Sequence, residues 1–393
     1  MTGKDKDVNE YSKASSRIKR IRYILAIIFI IFVIFAVFSY REDLTVENFR
    51  YLMKYVNVKP VTFGSGENAQ INFDADSSTV TASFKEDLIV ASKTAVKIYD
   101  LSSKEILSSD AVLMRPAIST GEKYFAVYDL GAKYVGIYNS FSKLWDTELD
   151  YPVYDVALDK KGNFCIVTAS KGYTSAVKVY NDNFENMFNW RSADKYAIAA
   201  DICHNDGTFL AVGTLRSNTS GDMVSSLVLL STDSASPLAT LDFEGEMIID
   251  VAFNSEGRAV FITDKAIRFA DTSGKVLSET YFNSGSVRKF EINAEYTLLL
   301  THENLVGKNH TLIIFDADGN TYMEKTVSAE VTDTALSESF VFILGVEDIT
   351  VVDIKNKKTK TYPSERSYRS VELFDEENVY LVYDGLAVAA GVE

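Results

Sequence analysis

Asp155 in "YDVAL", Asp201 in "ADICH", Asp250 in "IDVAF" and Asp333 in "TDTAL" each stand within a short aliphatic run. Carboxylates held at one level can grip a cation, because the ion offsets the charge each imposes on the others. Beside a strand, an Asp can instead accept backbone N–H groups of an adjoining connection. Lys289 and Arg115 occupy the matching place in two further runs and break the set, which favours the second role. Other chemistry is thinly supplied. His204, His302 and His310 are scattered and make no metal motif, and no Ser or Cys lies in a nucleophile turn. Cys165 and Cys203 sit in apolar runs, without C-x-x-C or zinc spacing, and read as small buried side chains. "FDADGN" at 315–320 is faintly like a calcium loop. Its Gly319 comes two places too early and no closing glutamate follows, so it reads as a hairpin turn. No cofactor is expected.

These residues belong to a repeating unit. Aligned on Thr81, Arg115, Asp155, Asp201, Asp250, Lys289, Asp333 and Ser370, the unit returns after about 41 residues on average, a period that strand and helix repeats share. The inner pattern separates the two. A first strand leads through a polar turn to a strong apolar strand such as "FCIVTA", "AVFITD" or "TLLLTH". A third strand such as "AVKIYD", "AIRFAD" or "TLIIFD" ends in Asp or Asn before a tight turn, and a fourth follows, as in "KLWDTEL". Four antiparallel strands per unit are a β-propeller blade. The expected fold is all-β, an eight-bladed propeller, or a seven-bladed one if the weak first unit is not a blade. The last unit stops after three strands, and "NAQINFDAD" at 68–76 is a strand without a blade. Pairing the two closes the ring and leaves no open edge.

Ahead of the repeats, "RIKRIRYILAIIFIIFVIFAVFSYRED" holds an apolar run of bilayer length between tyrosines. No small-residue cleavage pattern follows it, which favours an anchor over a cleaved signal. Lys13, Arg17, Lys19, Arg20 and Arg22 crowd its N-terminal side, while Glu42 and Asp43 follow Arg41; this asymmetry keeps the N-terminus cytoplasmic. The expected organisation is a basic cytoplasmic tail at 1–20, a transmembrane helix at 21–40, an amphipathic juxtamembrane helix and linker at 41–66, and an extracytoplasmic propeller at 67–393. The whole chain carries −15. An acidic body argues against a nucleic-acid partner, whose phosphates need a basic face.

The unit in "YNSFSKLWDTEL" resembles blades of quinoprotein-like and WD40-like propellers. With the basic tail, the anchor and the "DLTVENFRYL" segment, the chain is similar to an uncharacterised family of single-pass, membrane-anchored propeller proteins of Gram-positive anaerobic bacteria. The resemblance implies that fold and location, with no catalytic residues. Quinoprotein dehydrogenases need a cofactor-stacking Trp and calcium, whereas Trp145 and Trp190 both read as outer-strand packing.

Connections between second and third strands look tight in "TDKA" and "YDGL" and long in "ASKGYTS", "GTLRSNTSGDMVSS" and "THENLVGKNH". In a propeller these emerge on one face, and scaffolds vary their loops where they bind. Lys171, Tyr173, Arg216, Asn218, His302, Lys308 and His310 are therefore the candidate partner contacts, and Asp155, Asp201, Asp250 and Asp333 the candidate channel lining. The expected function is a non-catalytic scaffold for a protein or cell-envelope glycan. The alternative is a glycan-cleaving enzyme using channel carboxylates, which would show as a deep acidic pair with raised pKa.

Overall fold

A computed structural model describes residues 70–203, 207–234, 236–302, 309–328, 330–364 and 366–392, together with 22, 23, 25 and 27–32. The last group is helical with exposed side chains. The remainder of the expected span, with the tail at 1–20 and the segment at 41–66, lies outside the described residues. Among the described residues no helix is long and apolar enough to cross a membrane.

Eight antiparallel sheets of four strands follow one another along the chain. Blades 1 to 7 cover residues 80–110, 116–148, 155–192, 196–244, 248–281, 287–328 and 331–363. Blade 8 is composite. Its three C-terminal strands, Ser370–Leu373, Asn378–Tyr383 and Leu386–Gly391, take Gln70–Asn72 as their fourth, with Ile71 opposite Ala387. Seven blades are thereby ruled out, and the ring closes through the segment expected to close it.

Alternation explains the blades. The second strands, such as Phe164–Ser170 and Phe340–Gly345, are nearly continuous apolar runs, buried because both of their faces pack on neighbouring blades. Outer strands alternate, as in Ala239–Glu244 and Val276–Tyr281, where every second side chain is exposed. Buried rows from adjacent blades merge into shared cores. Leu298, Leu300, Leu312 and Ile314 of blade 6, for example, pack with Val341 and Ile343 of blade 7. Trp145, on an outer strand, lies 5.5 Å from both Phe164 and Tyr180 of the next blade, which accounts for one of the two tryptophans as packing. Trp190 is buried in the core shared by blades 3 and 4.

The Asp or Asn that ends many third strands is a turn cap. Asp100, Asp271 and Asp316 each accept backbone N–H groups two and four residues on through Oδ1. In the Asp316 turn Gly319 takes φ 82°, and a Cβ there would lie 2.6 Å from the Phe269 ring, so "FDADGN" is a hairpin turn that only glycine fits.

The closing strand should carry a measurable share of stability. Ile71 is 1% exposed within a core formed with Leu88, Val90 and Tyr380. Ile71→Ala is expected to lower unfolding free energy by about 2–4 kcal/mol, read from urea denaturation, while the exposed Gln70→Ala leaves it unchanged. Equal, small effects of the two would show that the ring does not depend on this strand.

Candidate functional site

First strands line the channel, and the residue that ends each one fixes its height. Leu158 pairs with Phe164, Ile202 with Leu210, Phe253 with Ala259, Ile292 with Thr297 and Leu336 with Val341. Counted back from these, Asp155, Asp250, Lys289 and Asp333 share an upper level. Asp201 does not: it stands two residues lower, level with Glu291 and Glu372, and Ala199 takes the upper place in blade 4. The single level expected for four aspartates is thus two tiers. Its cause is local: "ADICH" copies the Asp–aliphatic pattern of "YDVAL" but turns into its second strand two residues sooner. Arg115 likewise precedes the first strand of blade 2, Pro116–Thr120, and donates its amide to Asp129; Ala117 holds the upper level there.

The carboxylates reach across blade seams. Asp155 Oδ2 accepts the Ala200 amide of blade 4 at 3.0 Å, and Asp333 Oδ2 accepts Val371 of blade 8 at 3.1 Å. One tier down, Asp201 Oδ2 accepts Phe253 of blade 5 at 2.6 Å, and Glu291 Oε2 accepts Leu336 of blade 7 at 2.9 Å. Every such bond joins a first strand to the next blade's first strand, one residue beyond the acceptor's level. Glu372 closes toward blade 1 by accepting the Thr81 hydroxyl at 3.0 Å. Asp250 bonds the Val251 amide of its own blade. Lys289 is not an interruption, since its Nζ lies 2.6 Å from Asp333 and 3.9 Å from Glu291.

Enclosure makes these acids hard to ionise. Burial, ahead of nearby carboxylates, pushes Asp155 and Asp201 up to about 7, Glu291 to about 7 and Glu372 to about 8. Asp250 is raised for the same reason. Tyr128 lies against Asp155, and its phenol is raised first by burial and then by Asp155 and Asp250. Among the described residues no group of three or more His, Cys, Asp or Glu is arranged to hold a metal ion. A cavity of about 180 Å³ opens at one mouth of the channel between Gly121, Asp159, Lys160, Ser255 and Asn293. A second, of about 290 Å³, opens at the seam of blades 8 and 1, where Thr81, Arg369, Ser370 and Glu372 line it.

The opposite mouth lies on the face formed by the second-to-third strand hairpins. Two connections expected there as long loops are strand. Phe209–Ser217 and Met223–Ser231 continue their ladder to Ser217 opposite Met223, so Arg216 is a strand residue, 2.9 Å from Asp242. Asn218 caps the short turn by accepting the Ser220 and Asp222 amides. In blade 3, Phe164–Ser170 and Tyr173–Tyr180 leave only Lys171 and Gly172 in the turn; Tyr173 is 43% exposed beneath the Arg191 guanidinium. Polar side chains suggested loops, but Thr214, Ser225, Ser226 and Ser175 are buried within the paired strands. His302 and His310 face each other across blade 6, so these two are not scattered. Lys308 and His204 lie outside the described residues.

Exposed apolar side chains mark this same face. Val112 and Met114, 91% and 74% exposed, flank a blade-to-blade connection there, and Tyr154, Tyr196, Met247, Ile249 and Tyr383 join them. Among the described residues, Met187, Leu238 and Leu277 are the exposed large apolar residues on the opposite side. Nothing in the repeat pattern signalled this, because Val112, Met114, Tyr154 and Met247 fall in connections that vary between units, and Tyr196, Ile249 and Tyr383 stand at or next to strand ends.

Eight four-stranded blades around a clasped channel define an eight-bladed β-propeller. The chain belongs to DUF5711, a family of unknown function, which it matches over residues 66–387. None of the curated proteins matches it. Among solved structures it is similar to Sqt1 of Saccharomyces cerevisiae, with 10% identity and a TM-score of 0.61 over 83% of this chain and 99% of that one. It is also similar to BamB of Moraxella catarrhalis, with 10% identity and a TM-score of 0.52 over 84% and 99%. Likeness at such identity concerns the fold.

The channel acids set a pH dependence. Their folded pKa values exceed ordinary carboxylate values, so the native state holds protons that the unfolded chain has already released. The stability they contribute is fully present below pH about 4 and is lost as pH rises to about 8. Acting the other way, turn carboxylates such as Asp271 and Asp353, lowered by their hydrogen bonds, contribute stability that is present above about pH 4 and lost as pH falls below it. The melting temperature should therefore rise between pH 8 and pH 5 and fall below about pH 4, and Asp201→Asn should flatten the upper slope. A melting temperature constant from pH 5 to 8 would contradict this.

Proposed function

We propose that the protein is a membrane-anchored, extracytoplasmic scaffold that binds a protein partner through the hairpin face of its propeller. The observation that carries the reading is the concentration there of exposed Val, Met, Ile and Tyr side chains, from Val112 and Met114 to Tyr383. Exposed apolar side chains gathered on one face mark interaction sites, and Tyr is frequent at their energetic centres. The chain enters the ring at Gln70 from the other face, since Asn72, not Gln70, lies opposite Leu386 at the hairpin end. The apolar run at 21–40 and the basic residues before it support the anchor and its orientation.

Glycan cleavage by the channel acids is the second reading, and their raised pKa values favour it. Against it stands their engagement: both oxygens of Asp155, Asp201 and Glu291 accept hydrogen bonds. An acid–base pair needs an oxygen free for the substrate.

Two measurements test the proposal. Protease added to intact cells should degrade the propeller and spare the basic tail; a protected propeller would reverse the orientation. Val112→Asp with Met114→Asp should leave folding within about 0.5 kcal/mol, as exposed substitutions do, and abolish capture of a membrane or surface protein. Met187→Asp with Leu238→Asp, on the other face, should keep it. Undiminished capture by the first variant would remove the hairpin face as the site. Binding to isolated envelope glycan without protein capture would make the partner a glycan.

A further inference from the structure

His302 and His310 are direct cross-strand partners at the hairpin end of blade 6, in Thr297–His302 and Asn309–Phe315. Their ring centroids lie 4.3 Å apart, with the planes inclined by 37°. Both continue the rows Leu298–Leu300 and Leu312–Ile314, whose side chains pack on blade 7, and Val327 pairs with His310 from the outer strand. His310 is 2% exposed.

An apolar row ending in two imidazoles is unusual for what it leaves unpaired. Both ring nitrogens of His302 and Nδ1 of His310 are buried without a hydrogen-bond partner. Ser286, whose carbonyl accepts the His302 amide at 2.7 Å, also holds its Oγ buried and unpartnered. A buried polar atom without a partner costs about 1–3 kcal/mol, and each neutral imidazole offers one lone pair, so the two rings together suit a ligand that takes up two nitrogen lone pairs.

We propose that His302 and His310 form a binding site for one late first-row divalent transition cation, of the Zn²⁺ or Ni²⁺ class, with water completing the coordination. Imidazole nitrogen suits these ions. Rings this close can each bring one nitrogen to within ~2.0–2.1 Å of a shared ion. A ligand must be unprotonated, and burial, then Arg288, then His310, holds the His302 pKa below its ordinary value. The Arg288 charge also opposes the incoming cation, which makes this a site of moderate affinity. It needs no carboxylate and is separate from the channel acids.

The test uses untagged full-length protein and the metal ions alone. Calorimetric titration with Zn²⁺ and with Ni²⁺ should find one site per chain. His302→Asn and His310→Asn should each weaken it at least about tenfold. Co²⁺ added to the wild type should give visible ligand-field absorption, lost in both variants. Because His310 is buried and its variant could misfold, His302→Asn, at the less buried of the two residues, carries the decision, with folding checked by circular dichroism. Absence of binding by the wild type, or unchanged affinity in folded His302→Asn, would overturn the proposal.

Discussion

A carboxylate accepting a backbone amide across a blade seam is the contact on which this ring depends. Each blade is a sheet whose first strand is an edge, with N–H groups turned toward the channel and the next blade. Left bare in so narrow a space, such groups are neither paired nor well solvated. Asp155, Asp201, Glu291 and Asp333 take the amides of Ala200, Phe253, Leu336 and Val371, and so join neighbouring sheets that share no ladder. The same geometry serves at two heights. What matters is the offset from acceptor to donor, not the level.

This arrangement has an electrostatic consequence. Acids gathered around one axis raise one another's pKa on top of burial, and Lys289 answers for only part of the charge through Asp333 and Glu291. Their joining role therefore depends on proton occupancy, and mild acidity relieves the repulsion without removing the hydrogen bonds. An inner wall held in this way leaves the outer connections free to vary. The hairpins of blades 3 and 4 lengthen, and apolar residues collect around Val112 and Met247, without touching the clasps. A rigid ring with a variable face is the form a binding scaffold takes.

Much of this was legible in the sequence because strands announce themselves by composition and by repetition. The period, the four-strand unit and the closure through residues 68–76 followed from apolar runs and turn residues. Heights in the channel were less legible. Asp201 copies the local pattern of Asp155 while standing one tier lower, and only the pairing of Ile202 with Leu210 reveals it. Glu291 and Glu372 passed unnoticed for the same reason, as acids two places after Lys289 in "KFEI" and Ser370 in "SVEL", the residues used for alignment. The long hairpin of blade 4 read as loop because its paired strands carry small polar residues, Thr214, Ser225 and Ser226, that lie buried in the ladder. The histidine pair carried a signal: "TLLLTH" and "HTLIIF" are near mirror images, as two strands of a hairpin are when their ends meet.

Amide hydrogen exchange under native conditions tests the central claim most directly. If the clasps hold the seams, the Ala200, Phe253, Leu336 and Val371 amides exchange as slowly as ladder amides of the second strands. Asp201→Ala then speeds Phe253 by about tenfold, the worth of one hydrogen bond, and leaves Ala200 unchanged. Fast exchange at these four positions in the wild type, or a Phe253 rate indifferent to Asp201→Ala, would contradict the account.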